Sequence, residues 1–297
     1  MSSLIKGVDF VKSAAPFVYI KNNIMKHFYD CEFLEGTQDK RFLGIKYGKT
    51  PPTIDLISIG FVAEDGREYY AISNEFNLYE AWNRYQTTKV EDREDYCGQV
   101  VAFIEDKKIY WIRENVLRPI WKQEILKMHA FTNLKESMNW EYAEFNYKNF
   151  CELIRLKGKS RKRIALEIVN FVHGYCDLGN WFGSTEAYYE ELSKQEPKDK
   201  PEFYGYYSTY DHVVLCQLFG KMIDLPKGFP MLTYDLKQML DEKAPDGKYT
   251  GAFEEFFEDQ VEILIKNHPN YPKQTNEHNA LSDARWNKKL YDFIQKL

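Results

Sequence analysis

Three strand-like segments near the start of the chain constrain its fold most strongly. Residues 24–33, 53–64 and 68–73 are rich in β-branched and aromatic side chains, and Asp65-Gly66 separates the last two. An Asp-Gly pair between two apolar runs is a strong signal for a tight β-hairpin turn. The sequence therefore predicts an antiparallel meander in this region. The polar link at 34–52, which contains three glycines and Pro51-Pro52, is predicted to be a loop.

The first of these strands carries two acids, Asp30 and Glu32, inside an otherwise apolar run. Side chains two residues apart stand on the same face of a strand, roughly 7 Å from each other. Two carboxylates held side by side repel each other unless a cation lies between them, and divalent metals prefer such hard oxygen ligands. Taken alone, the pair is more typical of a half-buried strand whose polar face carries two solvated acids than of a metal site.

Length and composition indicate a globular protein. The 297 residues are 44% hydrophobic and 16% aromatic, and the apolar runs fall well short of the ~20 residues that span a bilayer. With no targeting segment at the start, we expect a cytoplasmic protein without membrane contact. The five cysteines are scattered and form no C-x-x-C pair, which argues against a disulfide framework and a zinc site. The net charge of −5 gives no global attraction for nucleic acid, but a local basic groove or bound metal ions can supply it.

The rest of the chain is interpreted as one α/β domain at 24–297, preceded by an extension at 1–23. The helical, aromatic-rich segment at about 119–156 and the segment at about 175–201, which ends in a polar linker, are treated as insertions. Residues 78–85 have a helical composition, and 100–104 with 109–112 are a candidate second hairpin. Further predictions are an aromatic strand at 203–210, helical patterns at 234–240 and 253–266, and a helix capped by Ser160.

Two further acids head the buried faces of predicted helices. Asp211 begins an apolar stripe with Leu215, Leu218 and Met222, and Asp283 begins a second one near the end of the chain. Asn279 can cap the second helix. His278 then lies in the loop just before that helix, from which its side chain can reach the same point as Asp283.

The four acids and the histidine form a pattern suited to phosphodiester hydrolysis with two metal ions. Two divalent ions about 3.5–4 Å apart can clamp a scissile phosphate. Mg²⁺ needs few carboxylates because it keeps waters and substrate oxygens among its ligands. A histidine, which titrates near neutral pH, is suited to take a proton from the attacking water.

The chain resembles the DEDDh (DnaQ-like) 3'-5' exonucleases. Asp30-Cys31-Glu32, Tyr210-Asp211 and the segment from His278 to Asp283 match the three exonuclease motifs of that family in order. More narrowly, 57–70, 111–117 and 210–220 are similar to a bacterial and phage exoribonuclease subgroup first known from mycobacteria. The resemblance covers about 24–73, 109–118, 157–172 and 202–295, and neither insertion.

The resemblance implies a ribonuclease H-like fold, with a mixed central sheet of about five strands flanked by helices. It makes His278 the general base and assigns two Mg²⁺ ions, for which Mn²⁺ can substitute, to the metal ligands Asp30, Glu32, Asp211 and Asp283. It also implies a single-stranded 3' end as substrate, with RNA preferred, and a homodimer. An exodeoxyribonuclease with the same site is an alternative, and a non-catalytic binder of nucleic-acid ends is a second one.

Substrate contacts are predicted next to the acids. Phe33 and Leu34 follow the metal pair and could stack against terminal bases, and the strand alternation favours Leu34. Many members of the wider family carry Asn four residues before the second-motif aspartate, where this chain has Tyr207. A basic run at a helix start is more often a solvated face, and its alternative role is phosphate contact: Lys159, Arg161, Lys162 and Arg163.

Overall fold

The computed structural model describes residues 23–90, 93–94, 100–101, 105–131, 144–174, 187, 191–243 and 266–297. The predicted extension at 1–23, most of the second insertion and the predicted helix at 253–266 lie outside this part, apart from their edges. Among the described residues, no helix combines the length and the apolar character needed to cross a bilayer.

A five-stranded mixed sheet forms the centre of the molecule. Its strands are β1 (Ile24–Gly36), β4 (Thr53–Ala63), β5 (Glu68–Ile72), β10 (Lys200–Gly205) and β11 (Tyr234–Asp235). Their order is β11-β10-β1-β4-β5. The strands β1, β4 and β5 pair antiparallel, whereas β10 runs parallel to β1 and β11 parallel to β10. The predicted meander and the mixed sheet of about five strands are therefore confirmed, and Gly66 makes the predicted turn with a φ of 90°.

In the part of the chain that the structure describes, seven α-helices surround this sheet. They are α1 (Leu78–Asn83), α2 (Arg118–Phe131), α3 (Tyr147–Lys157), α4 (Arg161–His173), α5 (Thr209–Phe219), α6 (Leu236–Glu242) and α7 (Ala280–Ile294). A π-helical turn, Arg113–Leu117, leads into α2, and a 3-10 turn, Met222–Asp224, follows α5. The predicted caps are confirmed, since Ser160 accepts a hydrogen bond from the Arg163 N–H and Asn279 from the Ser282 N–H.

Helices pack on both faces of the sheet. One buried cluster joins strand residues such as Tyr29 and Phe61 to α4 and α5. On the other face, α7 approaches β4 at Gly60, where a Cβ atom would lie 2.4 Å from the Leu281 backbone nitrogen. A separate buried cluster joins Leu34 and Ile57 to residues of α1, the π-helical turn, α2 and α3. The first predicted insertion thus builds a second core at the end of β1.

Two predictions of local structure were wrong. The link at 34–52 is not a loop: β1 continues to Gly36, and the strands β2 (Asp39–Phe42) and β3 (Ile45–Lys49) form an antiparallel hairpin. The second predicted hairpin was also misplaced, because β9 (Glu105–Ile109) pairs with β6 (Gln86–Val90) rather than with 100–104. The short strands β7 (Arg93–Glu94) and β8 (Val100–Val101) pair with each other. Strand partners distant in sequence compete with local ones, and local sequence patterns alone do not decide between them.

The predicted aromatic strand at 203–210 begins earlier and ends earlier than expected. It starts at Lys200, ends at Gly205, and the chain turns before α5 starts at Thr209. Tyr207 adopts a φ of 51°, and the Asp235 carboxylate accepts hydrogen bonds from the Tyr207 and Ser208 N–H groups. Aromatic composition favours a strand here. The turn, however, is stabilised by the carboxylate of Asp235, which ends β11 and caps α6. The helical pattern predicted at 234–240 likewise starts only at Leu236, after the short strand β11.

Candidate active site

Strand β1 and helix α7 bring three carboxylates together. Asp30, Glu32 and Asp283 each offer an oxygen, and these three oxygens all lie within 4.8 Å of one another. Asp30 and Glu32 share one side of β1, as the two-residue spacing predicts, while Cys31 between them is buried in the core on the other side. Asp283 reaches them from the first turn of α7.

Asp211 joins the same site through a backbone contact. It lies in the first turn of α5, and its Oδ1 accepts a 2.7 Å hydrogen bond from the Cys31 N–H. This bond ties α5 to β1 between the two strand acids. All four acids line one pocket of about 460 Å³, so the structure brings the predicted metal-ligand set to one place.

The four acids destabilise one another as anions. Burial and, after it, the neighbouring Asp211 and Glu32 raise the pKa of Asp30 well above its usual range. Burial and the charges of Asp283 and Asp211 do the same to the pKa of Glu32. Burial raises the pKa of Asp211 to about 7, against the lowering effect of the Cys31 N–H, and that of Asp283 to about 6.

Positive charge placed at the acids would relieve this electrostatic strain. Glu32, Asp211 and Asp283 are only 6–8% exposed, so solvent screens their repulsion poorly. A divalent cation bound by carboxylate oxygens would compensate the charge directly and suits this all-oxygen donor set. The residues present therefore fit a hard divalent cation such as Mg²⁺.

His278 lies at the rim of the acids, in the loop before α7. Its ring lines the pocket and packs edge-on against the Trp111 ring, with 4.8 Å between the centroids. Its backbone has a φ of 60°, a left-handed conformation that is unusual for a residue other than glycine. Tyr207, in the turn that precedes α5, also lines the pocket, and its φ is positive as well. Such strained residues concentrate at functional sites, and here two of them face one pocket.

Sequence reasoning gave no role to several residues that complete this pocket. Gln274 donates a 2.7 Å hydrogen bond from its amide to Asp283 Oδ1. Trp111 contacts His278, and Arg84 binds the carbonyl oxygens of Glu35 and Thr37 at the end of β1. Of these, only Trp111 carried a signal, because it opens the segment 111–117 on which the family resemblance partly rests. Gln274 and Arg84 are polar residues without a motif.

The predicted substrate contacts have different fates in the structure. Phe33 lines the pocket, with its ring 5.9 Å from that of Tyr210, and Tyr207 lines it with 63% of its surface exposed. Leu34 was wrongly predicted to contact substrate, because it is fully buried. The alternation argument left out the helices of the first insertion, which form a core with Leu34 at the end of β1.

The basic run at the start of α4 lies outside the pocket lining. Lys159 and Arg163 both pair with Glu167, at 2.6 and 2.8 Å, and Arg161 contacts the Gln217 side chain at 3.4 Å. These contacts account for much of the positive charge without a ligand. Phosphate binding by Lys159, Arg161, Lys162 or Arg163 stays an untested prediction.

Fold and site together define an α/β protein with a buried, acidic pocket whose carboxylates could hold a cation. No family model matches the chain. The chain is similar to two proteins of Mycobacterium tuberculosis, from two strains, each named a 3'-5' exoribonuclease. Each is 26% identical over 219 residues, which cover 74% of this chain and 76% of the relative. This similarity supports an exonuclease enzyme and an exoribonuclease family.

Proposed function

We propose that this protein is a metal-dependent 3'-5' exoribonuclease of the DEDDh type with a ribonuclease H-like fold. The observation that carries the proposal is the convergence of Asp30, Glu32, Asp211, Asp283 and His278 on one pocket. These residues come from β1 and from the starts of two helices far apart in sequence. The name of the mycobacterial relatives supports the 3'-5' direction and RNA as substrate.

Asp30, Glu32, Asp211 and Asp283 are the residues that would hold two Mg²⁺ ions. When bound, divalent cations supply charge stabilisation to the phosphate and lower the pKa of water. The chain itself holds the carboxylates in place through the Cys31 N–H on Asp211 and the Gln274 amide on Asp283. Ligands held in this way lose little freedom on metal binding, which favours binding.

His278 would accept the proton of the attacking water at an imidazole nitrogen. The loop before α7 places the His278 ring beside the acids. His278 is not part of the close group of possible metal ligands, which consists of Asp30, Glu32 and Asp283. The edge contact with Trp111 limits the rotation of the ring. Trp111, Tyr85 and Tyr206 give the pocket aromatic walls, which suit the bases of a single-stranded end.

A degradation assay with end-labelled oligonucleotides tests this proposal. Purified protein with Mg²⁺ is expected to shorten single-stranded RNA from its 3' end, to act more slowly on DNA of the same sequence, and to stop when a chelator is added. Asp30→Ala should abolish hydrolysis because it removes a metal ligand. Asp292→Ala is the matched control, since this exposed acid lies on α7 away from the pocket.

The outcomes separate the alternatives. Faster degradation of DNA would assign the site to an exodeoxyribonuclease, and binding of 3' ends without hydrolysis would assign it to a non-catalytic binder. Full activity of Asp30→Ala would show that the pocket is not the active site. The proposal also includes a catalytic domain at 24–297 and a homodimer. Light scattering on the purified protein checks the homodimer.

A further inference from the structure

The β2–β3 hairpin, Asp39 to Lys49, exposes an unusual amount of apolar surface. Phe42, Leu43, Ile45 and Tyr47 are 71%, 86%, 72% and 68% exposed. Single exposed apolar residues are normal on a protein surface, but four within six residues form a patch of the kind that marks an interaction site. Leu43 at the tip also has a φ of 47°, which is costly for a leucine and is followed by Gly44 at 83°. The sequence thus holds a bulky apolar side chain at a turn position that favours Asn or Gly.

This hairpin is also basic in an acidic protein. It contains Lys40, Arg41, Lys46 and Lys49 but a single acid, Asp39, whereas the chain as a whole carries a net charge of −5. Asp39 pairs with Lys46 at 2.7 Å and with Arg41 at 3.4 Å. Within the described residues, Lys40 and Lys49 form no ion pair. The hairpin therefore combines uncompensated positive charge with exposed aromatic rings.

The two faces of the hairpin differ. Arg41 lies over the Tyr79 ring of α1 at 4.9 Å, which holds the face of Asp39 and Arg41 toward the body of the protein. Side chains alternate along β2, so Lys40 and Phe42 stand on the other face, where Phe42 is paired directly with Ile45. A cation and two large apolar groups therefore share the outward face.

The base of the hairpin is fixed at the rim of the active-site pocket. The Thr50 N–H donates to the Gln38 carbonyl at 2.8 Å, and the Gln38 N–H donates to Thr50 Oγ1 at 3.0 Å, which closes the hairpin. Arg84 donates to the carbonyl oxygens of Glu35 and Thr37, and both Arg84 and Glu35 line the pocket. From this base the strands reach outward by roughly 15 Å, given about 3.3 Å per residue.

We propose that the β2–β3 hairpin is a second contact for single-stranded RNA, on the 5' side of the nucleotides held in the pocket. This inference rests on the proposed function. A pocket of about 460 Å³ holds a strand end, and the following nucleotides must leave over its rim. There Lys40, on the outward face, contacts phosphates, and Phe42 and Tyr47 offer faces on which bases stack. The hairpin thereby makes affinity depend on the length of the RNA.

Kinetics on a trinucleotide and on an RNA of about 12 nucleotides test the inference, because only the longer RNA reaches the hairpin. In Phe42→Ser/Tyr47→Ser, the KM for the longer RNA should rise about tenfold or more, since one stacked base contributes roughly 1–3 kcal/mol. The kinetics on the trinucleotide should change little, which also reports that the variant is folded. Ile223→Ser removes a similarly exposed apolar side chain, at 67%, outside the pocket and hairpin, and should behave as wild type.

A salt titration tests the charged part of the same contact. In Lys40→Ser, the slope of log affinity against log salt concentration should become shallower by about 0.7, as expected when one phosphate contact is lost from a single strand. An unchanged KM for the longer RNA together with an unchanged slope overturns the inference. A loss of dimerisation in the hairpin variants with an unchanged KM overturns it too, and assigns the surface to a second copy of the chain. Failure of the wild type to degrade any RNA instead overturns the proposed function.

Discussion

At the scale of single residues, the site depends on groups that serve two purposes. Cys31 buries its side chain in the core, while its backbone N–H holds Asp211. Gln274 neutralises no charge, but its amide occupies one oxygen of Asp283 and lowers the pKa of that carboxyl from the value that burial alone would produce. Neither contact follows from a motif, because each joins residues whose proximity depends on the folded chain.

Replacing His278 tests its role as the general base. His278→Ala is expected to lower kcat by about 100-fold, since proton transfer contributes roughly that much. His278→Asn should lose as much activity while keeping the left-handed backbone at this position, because Asn tolerates a positive φ. Both variants should retain the stabilisation by Mg²⁺ described below.

His268→Ala provides the control, because His268 is exposed and outside the pocket lining. Turnover by His278→Asn at the wild-type rate would remove the imidazole from the mechanism. Loss of the stabilisation by Mg²⁺ would show instead that His278 acts through the metal site.

At the scale of elements, the close approach of α7 to β4 sets the position of Asp283. Gly60 permits this approach, because a Cβ atom there would lie 2.5 Å from both the carbonyl carbon and the oxygen of Ala280. The three nearest atoms all belong to the backbone of α7, so rotating a side chain would not relieve these contacts. The glycine in the middle of a strand is thus explained by a helix that crosses it.

Gly60→Ala is therefore expected to destabilise the protein and to reduce activity together. The free energy of unfolding should fall by about 2–3 kcal/mol, at the upper end of the usual cost of overpacking. Chemical denaturation measures this change. Gly48→Ala is the matched control, since a Cβ atom at Gly48 would have no neighbour within 4 Å, and its effect should stay below about 0.5 kcal/mol. Equal stability of the two variants would show that α7 can move away from β4 at little cost.

At the scale of the whole molecule, the acidic pocket lowers the stability of the fold when no cation is bound. The raised pKa values of Asp30, Glu32, Asp211 and Asp283 mean that the folded protein holds these carboxylates at a cost when no cation is bound. Cation binding to the folded state stabilises it by mass action. Stability and metal concentration are thus expected to be coupled.

Asp30→Asn should largely abolish this coupling. In chelator, the variant is expected to unfold at a higher temperature than the wild type by about 2–4 °C, the shift that corresponds to roughly 1 kcal/mol in a large domain. Added Mg²⁺ should raise the Tm of the wild type and have little effect on the variant. Calorimetry with and without Mg²⁺ checks both expectations, with Asp292→Asn as the control. A variant that melts below the wild type in chelator would show that the acids do not strain the fold.

Patterns within a short stretch of sequence determined much of this protein. The alternation of β1 places Asp30 and Glu32 together, Asp65-Gly66 makes the predicted turn, and Ser160 and Asn279 cap their helices. Each of these features depends on a few neighbouring residues, whose conformations are restricted by local sterics and hydrogen bonds. The family resemblance added the match of three segments, in order along the chain, to the three exonuclease motifs.

Contacts between distant segments were decided only by the tertiary structure. The sequence favoured Leu34 as a substrate contact, but the helices of the first insertion bury it. The polar, glycine-containing link after β1 was interpreted as a loop, yet its two halves pair as a hairpin that carries exposed apolar side chains. Strand pairing and burial are set by free-energy differences between competing partners across the whole chain, and no local pattern contains those alternatives.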